Sequence, residues 1–275
     1  MKPPIGYYGS KATIAERIVA LLPEHQHYVE PYCGSLSVLL AKQPSKLETV
    51  NDIDRDLMLF WRVVRDRYDE LADKVGLTPH SRAEHLEAYA DTDDELERAR
   101  RVWVMLTQGR SGTMRKTGWR HYVDPHGTSI PMSGYLEAYR RRLPPAAERL
   151  MDVSLECLPA LDIIAKYGAH EDVLLYVDPP YVGSARARNY RHEMGSDADH
   201  RELAEALCAN QSAVVLSGYH SPLYDEIYRG WHVHEIATGT GQGGSYDPRT
   251  EVLWSNRPLG MQPSLFDAAD LSPAV

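Results

Sequence analysis

The sequence predicts an α/β fold built on a parallel sheet, and three observations carry that expectation. Strand, turn, helix and strand patterns follow one another between Tyr28 and Asp54, the order of a βαβ unit. Val173–Val177 and Ala213–Leu216 are continuous apolar runs, as expected of strands covered on both faces. The chain has 275 residues, 43% apolar and 25% charged, enough to bury a sizeable core and unlike a disordered segment.

In order along the chain, Ile14, Ile18, Leu21 and Leu22 recur at helical spacing, after Gly9-Ser10 and before Pro23. Tyr28-Val29 reads as a short strand entering the turn Glu30-Pro31-Tyr32-Cys33-Gly34. Leu36, Val38, Leu39 and Leu40 continue as a buried helix that closes near Pro44. Leu47–Val50 is the next strand, ending on Asn51-Asp52-Ile53-Asp54. From Leu57 helical stripes take over (Leu57, Phe60, Trp61, Val64; then Ala99, Val102, Trp103, Leu106). Gln108–Pro145 follows as a loop-rich stretch with little periodicity. After the run Val173–Val177, Leu203, Ala206 and Leu207 suggest a helix. Trp231–Ile236 and Glu251–Trp254 suggest late strands joined by a glycine-rich turn, Gly239–Gly244. The expected organisation is a discontinuous sheet domain (1–56 and 170–258), a helical basic insertion (57–169) and a flexible tail (259–275).

Cys33, Cys157 and Cys208 are too scattered for a disulfide framework and read as reduced thiols. The start of the chain lacks a signal peptide's apolar stretch, and no run is long enough to span a bilayer. A cytoplasmic protein is expected. The net charge is −9, but residues 98–149 carry eleven Lys+Arg against three acids, a surplus of +8 that leaves −17 elsewhere. A basic segment on an acidic body fits an electrostatic footprint for nucleic acid; solvated basic helices are the plainer alternative.

The turn Glu30–Ser35 lies where doubly wound folds bind nucleotides. Gly34 permits close backbone approach, Ser35 is placed to open the following helix, and Asp52 lies 18 residues beyond Gly34, suitably placed for a ribose hydroxyl. With one glycine the loop is poor for a pyrophosphate, and an adenosine cofactor without phosphate, such as S-adenosylmethionine, suits it better. An ordinary tight turn is the competing reading.

Asp178-Pro179-Pro180-Tyr181 ends the apolar run at Val177. The exocyclic amine of a base is a poor nucleophile because its lone pair is delocalised into the ring. Two acceptors aimed at its N–H groups, the Asp178 carboxylate and the Pro179 carbonyl, favour a pyramidal, reactive nitrogen. The prolines stiffen the turn, and Tyr181 offers a face for a flipped base. A Pro-Pro turn capped by an aspartate remains the alternative.

Tyr7-Tyr8-Gly9-Ser10-Lys11, Glu30-Pro31-Tyr32-Cys33-Gly34-Ser35, Asn51-Asp52-Ile53-Asp54 and Asp178-Pro179-Pro180-Tyr181 stand in the order found in Dam-type DNA adenine methyltransferases. The chain resembles that family from about Pro4 to Pro258. The resemblance implies a Rossmann-like S-adenosylmethionine-dependent methyltransferase sheet with a helical target-recognition insertion. It also implies cofactor contacts from Tyr7, Lys11 and Asp52, and a double role for Asp178 toward the target amine and the methionine end of the cofactor. Glu30, Gly34 and Ser35 complete the expected cofactor site. Two departures stand out: Leu36 replaces a second glycine, which bears on cofactor affinity, and the aromatic start is tyrosine-based.

Double-stranded DNA is the expected partner of a monomer or weak dimer, with Arg110, Arg115, Lys116 and Arg120 as contacts to phosphates or guanine edges. Arg186, Arg188, Tyr190 and His192 could line the base pocket or form a surface loop. The pairs His25/His27 and His232/His234 lack further ligands, so no metal is expected. Gln262-Pro263-Ser264-Leu265-Phe266 resembles the Q-x-x-L-F peptides that engage the bacterial sliding clamp, through Gln262, Leu265 and Phe266. Competing functions are methylation of cytosine, RNA or a protein amide, and a catalytically silent DNA-binding regulator.

Overall fold

The computed structural model describes residues 1–121, 130–181, 191, 194, 196–242 and 245–260, with the side chains of 239–249 left aside. The described strands form one sheet in the order β3-β2-β1-β4-β5-β7-β6. They are β1 (His27–Glu30), β2 (Leu47–Asn51), β3 (Val153–Glu156), β4 (Val173–Val177), β5 (Ala213–Gly218), β6 (His232–Gln242) and β7 (Ser245–Ser255). β1 to β5 are parallel, whereas β7 runs antiparallel between β5 and β6. This is an α/β, Rossmann-like sheet.

β1 pairs with β2 on one side and β4 on the other, so the strand order reverses there and leaves a crevice beyond the carboxyl ends. Three of the motifs sit at those ends: the Glu30–Gly34 turn, Asp52 and Asp178. Every residue of β4 is buried, and its side chains divide by period two. Leu174 and Tyr176 enter the core that contains α1 (Ala15–Val19), α2 (Ser37–Ala41) and α3 (Arg55–Asp66). Val173, Leu175 and Val177 enter the other, with α9 (Ala160–Tyr167), α10 (Asp197–Cys208) and α11 (Pro222–Ile227).

The segment after β2 enters α3 through Asp54, whose carboxylate accepts the N–H groups of Asp56 (3.1 Å) and Leu57 (3.3 Å). α3 packs on α6 (Glu95–Gln108), burying Phe60, Trp61, Val64, Val102, Trp103 and Leu106 in the first core. α4 (Tyr68–Gly76) and α5 (Arg82–Glu87) fill the layer between them in sequence.

Four details of extent differ from those expected. The stretch 108–145 contains α7 (Met132–Arg140) and leads into α8 (Leu143–Leu150); glycine and prolines mask their periodicity. Residues 151–169, counted with the insertion, supply β3, which pairs parallel with β2, and α9. The glycine-rich turn is shorter than expected, because β6 and β7 pair through Gly239 and Gly241 up to Gln242↔Ser245. A ladder uses backbone groups, so glycine does not forbid it. Leu259 packs on the core and the Gly260 N–H donates to the Leu21 carbonyl at 2.9 Å, so the chain stays attached past Pro258. No described helix is long and apolar enough to cross a membrane.

Candidate active site

At the end of β1, Gly34 adopts φ +46°, and a Cβ there would stand 3.1 Å from the Tyr7 ring. Only glycine lets that ring lie over the turn. The Gly34 N–H donates to Asp52 Oδ2 at 3.1 Å, and the Asp54 N–H to Asp52 Oδ1 at 3.0 Å, so Asp52 joins the β2 end to the turn. Leu36 is left-handed as well, at φ 58° and ψ 29°, with its side chain fully buried.

Leu36 stands at the N-cap of α2 and offers no side-chain acceptor. Ser35 does not open the helix, contrary to expectation; its hydroxyl bonds Ser10 (3.0 Å) and Ser37 (2.8 Å) instead. Glu30 takes over, accepting the Leu39 N–H in the first turn at 2.9 Å and the Tyr28 hydroxyl at 2.5 Å. Burial outweighs these two hydrogen bonds and pushes the Glu30 carboxyl up to about 8. It is largely neutral at pH 7.

At the end of β4, Lys11 Nζ donates to both Asp178 oxygens, at 2.8 and 2.7 Å, to the Gly9 carbonyl at 3.2 Å, and to the Tyr181 hydroxyl. That hydroxyl donates onward to Glu251 at 2.9 Å, which also accepts from Ser217 at 2.6 Å. Burial raises the Asp178 carboxyl and Lys11 pulls it down, while Glu251 raises it again, leaving it at about 6. Burial opposes charge on Lys11, yet Asp178 and then Glu251 hold its ammonium above the ordinary lysine range. The site therefore keeps Lys11 charged and Asp178 ionised at pH 7.

A cavity of about 310 Å³ unites these ends and is walled by Tyr7, Lys11, Glu30, Gly34, Ser35, Asp52 and Asp178. Tyr32, Ile53, Pro159 and Leu161 give it apolar walls near Asp52. Pro179 and Tyr181 do not line it. Pro179 is buried, and the Tyr181 ring lies 4.5 Å from that of Tyr219 with Lys11 4.9 Å from its centre.

The basic candidates lie on a hairpin closed by the Gly109↔Trp119 bridge. Arg110 and Lys116 are exposed and Arg115 is half-buried. Arg120 turns back on the hairpin, donating to the carbonyls of Gly109 (3.3 Å) and Arg110 (3.1 Å) and lying over Tyr135. Trp119 stacks between His80 (4.4 Å) and His121 (5.3 Å), with the Arg82 guanidinium 4.9 Å from its ring. The hairpin is joined to the segment that covers the Gly34 turn, since the Tyr8 N–H donates to the Gly112 carbonyl at 2.7 Å.

Folding also redistributes the basic window. Arg98 pairs with Asp56, Arg100 with Glu84 and Glu97, Arg101 with Glu97, Arg149 with Glu48, and Arg140 and Arg141 with Glu137. Most of those acids come from outside residues 98–149, so the surplus of +8 overstates the exposed charge.

Glu251, Ser217 and Arg191 are site residues that sequence reasoning did not assign. Arg191 lines the cavity and donates to Asp56 (2.6 Å) and the Met114 carbonyl (3.2 Å). Nothing in its neighbourhood marks it. Arg186, Arg188, Tyr190, His192, Gln262, Leu265 and Phe266 lie outside the described residues.

The sheet order and the cavity across its strand ends define an α/β protein with a ligand crevice at the point where the strand order reverses. Residues 7–240 match the model of the D12 class N6 adenine-specific DNA methyltransferase family, and the chain belongs to that family. It is a DNA adenine methyltransferase, and membership implies S-adenosylmethionine as methyl donor. Similar proteins include the Type II methyltransferase M1.LlaDCHI of Lactococcus lactis subsp. cremoris, 25% identical over 93% of this chain and 95% of the relative. The DNA adenine methylase of Vibrio cholerae serotype O1 is 25% identical over 83% of this chain and 85% of its own length. Among solved structures, the precorrin-6y C5,15-methyltransferase of Geobacter metallireducens aligns over 93% of this chain and 98% of its own, at TM-score 0.39 and 8% identity.

Proposed function

We propose that the chain methylates a flipped adenine at specific sites in duplex DNA, with Asp178 as the acceptor that activates the amine. The observation that carries this reading is the position of Asp178: ionised at neutral pH, and on the same cavity as the Gly34 turn and Asp52.

The residues fit S-adenosylmethionine. The Tyr7–Gly34 contact leaves no room for a side chain between them, and Asp52 is fixed at the next strand end for a ribose. Ile53, Pro159 and Leu161 give an apolar wall for an adenine ring. When bound, the cofactor supplies an electrophilic methyl on a sulfonium. Tyr7, Lys11, Glu30, Gly34, Ser35 and Asp52 would hold it; Glu30 does so by fixing α2.

Asp178 and the Pro179 carbonyl orient the amine. Because Lys11 occupies both Asp178 oxygens, an arriving N–H takes over part of that bonding without leaving the carboxylate bare. The Tyr181 hydroxyl is tied down, so its ring is presented in a fixed plane for stacking. Residues 57–150 and the 109–120 hairpin serve target recognition, with Arg110, Arg115 and Lys116 facing DNA and Arg120 shaping the hairpin.

Replacing Asp178 by alanine removes transfer to an adenine-containing duplex while leaving DNA affinity within severalfold; near-normal turnover rejects the reading. Since the ionised carboxylate is the acceptor, activity of the unmodified enzyme falls as pH drops through about 6. The tail peptide containing Gln262, Leu265 and Phe266 is proposed to bind the sliding clamp. Truncation after Gly260 abolishes clamp pull-down while sparing methylation of a short duplex, and retained pull-down rejects it.

A further inference from the structure

Behind Asp178 lies a second buried carboxylate that the activation of the amine does not require. Glu251 sits on β7 and is 3% exposed. Its neighbours Val252, Leu253 and Trp254 are packed in the two cores. A β-branched residue would suit such a position, and a buried carboxylate costs stability unless it is well partnered. Among the described residues, Glu251 has no cation to itself. It accepts from Tyr181 and Ser217 and lies 3.6 Å from Lys11, whose ammonium is closer to Asp178, at 2.7 Å.

We propose that Glu251 is a positioning residue for methyl transfer: it fixes the Tyr181 hydroxyl and shares the Lys11 ammonium with Asp178, and so sets how strongly Asp178 accepts an amine. The proposal rests on the reading of Asp178 as acceptor. Among the described residues, the titratable groups around the pair come from each neighbouring element. They are Lys11 before α1, Glu30 on β1, Tyr176 on β4, Tyr181 after it, Tyr219 after β5, and Glu251 itself. Lys11 is the cation in this set, and two carboxylates draw on it. With the Glu251 charge removed, Lys11 belongs to Asp178 alone. The Asp178 carboxylate then becomes a weaker base and a weaker acceptor. Burial and Glu251 both raise Asp178, so the direction of the change is fixed by charge.

The test substitutes Glu251→Gln, which keeps an oxygen for Tyr181 and Ser217 and removes only the charge. In cofactor-free, DNA-free protein labelled at the aspartate carboxyl carbon, the Asp178 resonance is assigned by its loss in Asp178→Asn. Its titration midpoint should fall by about one pH unit, tenfold in the ionisation constant. The acid limb of kcat/KM should move down by the same amount, with KM for S-adenosylmethionine within about twofold. Glu251→Ala also removes the acceptor of the tyrosine hydroxyl and should lower kcat about tenfold or more, most of which Gln restores.

An unmoved midpoint together with unchanged kcat overturns the proposal. Should the glutamine variant not fold, Ser217→Ala removes one of the two hydroxyls that hold Glu251. A severalfold loss of kcat at constant KM supports the role and wild-type kcat refutes it. Failure of the underlying reading shows separately, as normal turnover in Asp178→Asn.

Discussion

Position 36 allows a direct test of backbone physics. Leu36 holds φ 58° and ψ 29°, a conformation that costs an L-residue about 1–2 kcal/mol. It is the one non-glycine residue with positive φ among the described residues. Its fully buried side chain offsets that cost, since burying a leucine is worth about 1.5–3 kcal/mol. Leu36→Ala loses the burial and keeps the strain, a destabilisation of about 2–5 kcal/mol. Leu36→Gly loses the burial but removes the strain, against about 0.5–1 kcal/mol of extra chain entropy. Glycine should therefore match alanine or exceed it in stability by up to about 1 kcal/mol, reversing the usual order. Urea unfolding at constant m-value reads the difference. An alanine variant more stable than the glycine variant by about 1 kcal/mol would refute the assignment. Leu36 does not line the cavity, so cofactor affinity should stay within severalfold in whichever variant folds.

Other outcomes follow from the same architecture. The Glu30 carboxyl is raised from the usual 4.5 to about 8, so its neutral form is favoured in the fold. Stability from this group is full below about pH 4.5 and lost as pH rises through about 8. Glu30→Gln keeps an acceptor for Leu39 and Tyr28 and should flatten the pH dependence of Tm across that window, by the equivalent of a few kcal/mol; an unaltered profile rejects neutral Glu30. Arg110→Ala and Lys116→Ala should each weaken DNA binding and reduce the salt slope by about 0.9 for every phosphate no longer neutralised. Arg101→Ala, whose partner is Glu97, should leave that slope unchanged, and equal slopes for all three variants would place the DNA elsewhere.

How much could be read from the sequence follows from how each feature is encoded. β4 and β5 are legible because strands buried on both faces are apolar throughout. Gly34, Asp52 and Asp178 are legible because turns at strand ends need particular residues. β3 is not, since its four residues run Val-Ser-Leu-Glu and only Val153 is buried. The basic window misleads because ion pairs form across the fold: Glu48 and Asp56 neutralise Arg149 and Arg98 from far upstream. Glu251 is hidden for a related reason. In the sequence it is one polar residue at the start of an apolar strand, and its partners are 34 and 70 positions away.

The span of the Lys11–Asp178–Glu251 cluster bears on how the enzyme comes into being. Its first link crosses 167 positions, and the next member follows later still, on β7. During vectorial synthesis the N-terminal glycine turn and the arginine-bearing hairpin emerge well ahead of β7. On the roles proposed for Lys11 and Asp178, the cluster is complete only once β7 has joined the sheet and brought Glu251 to it.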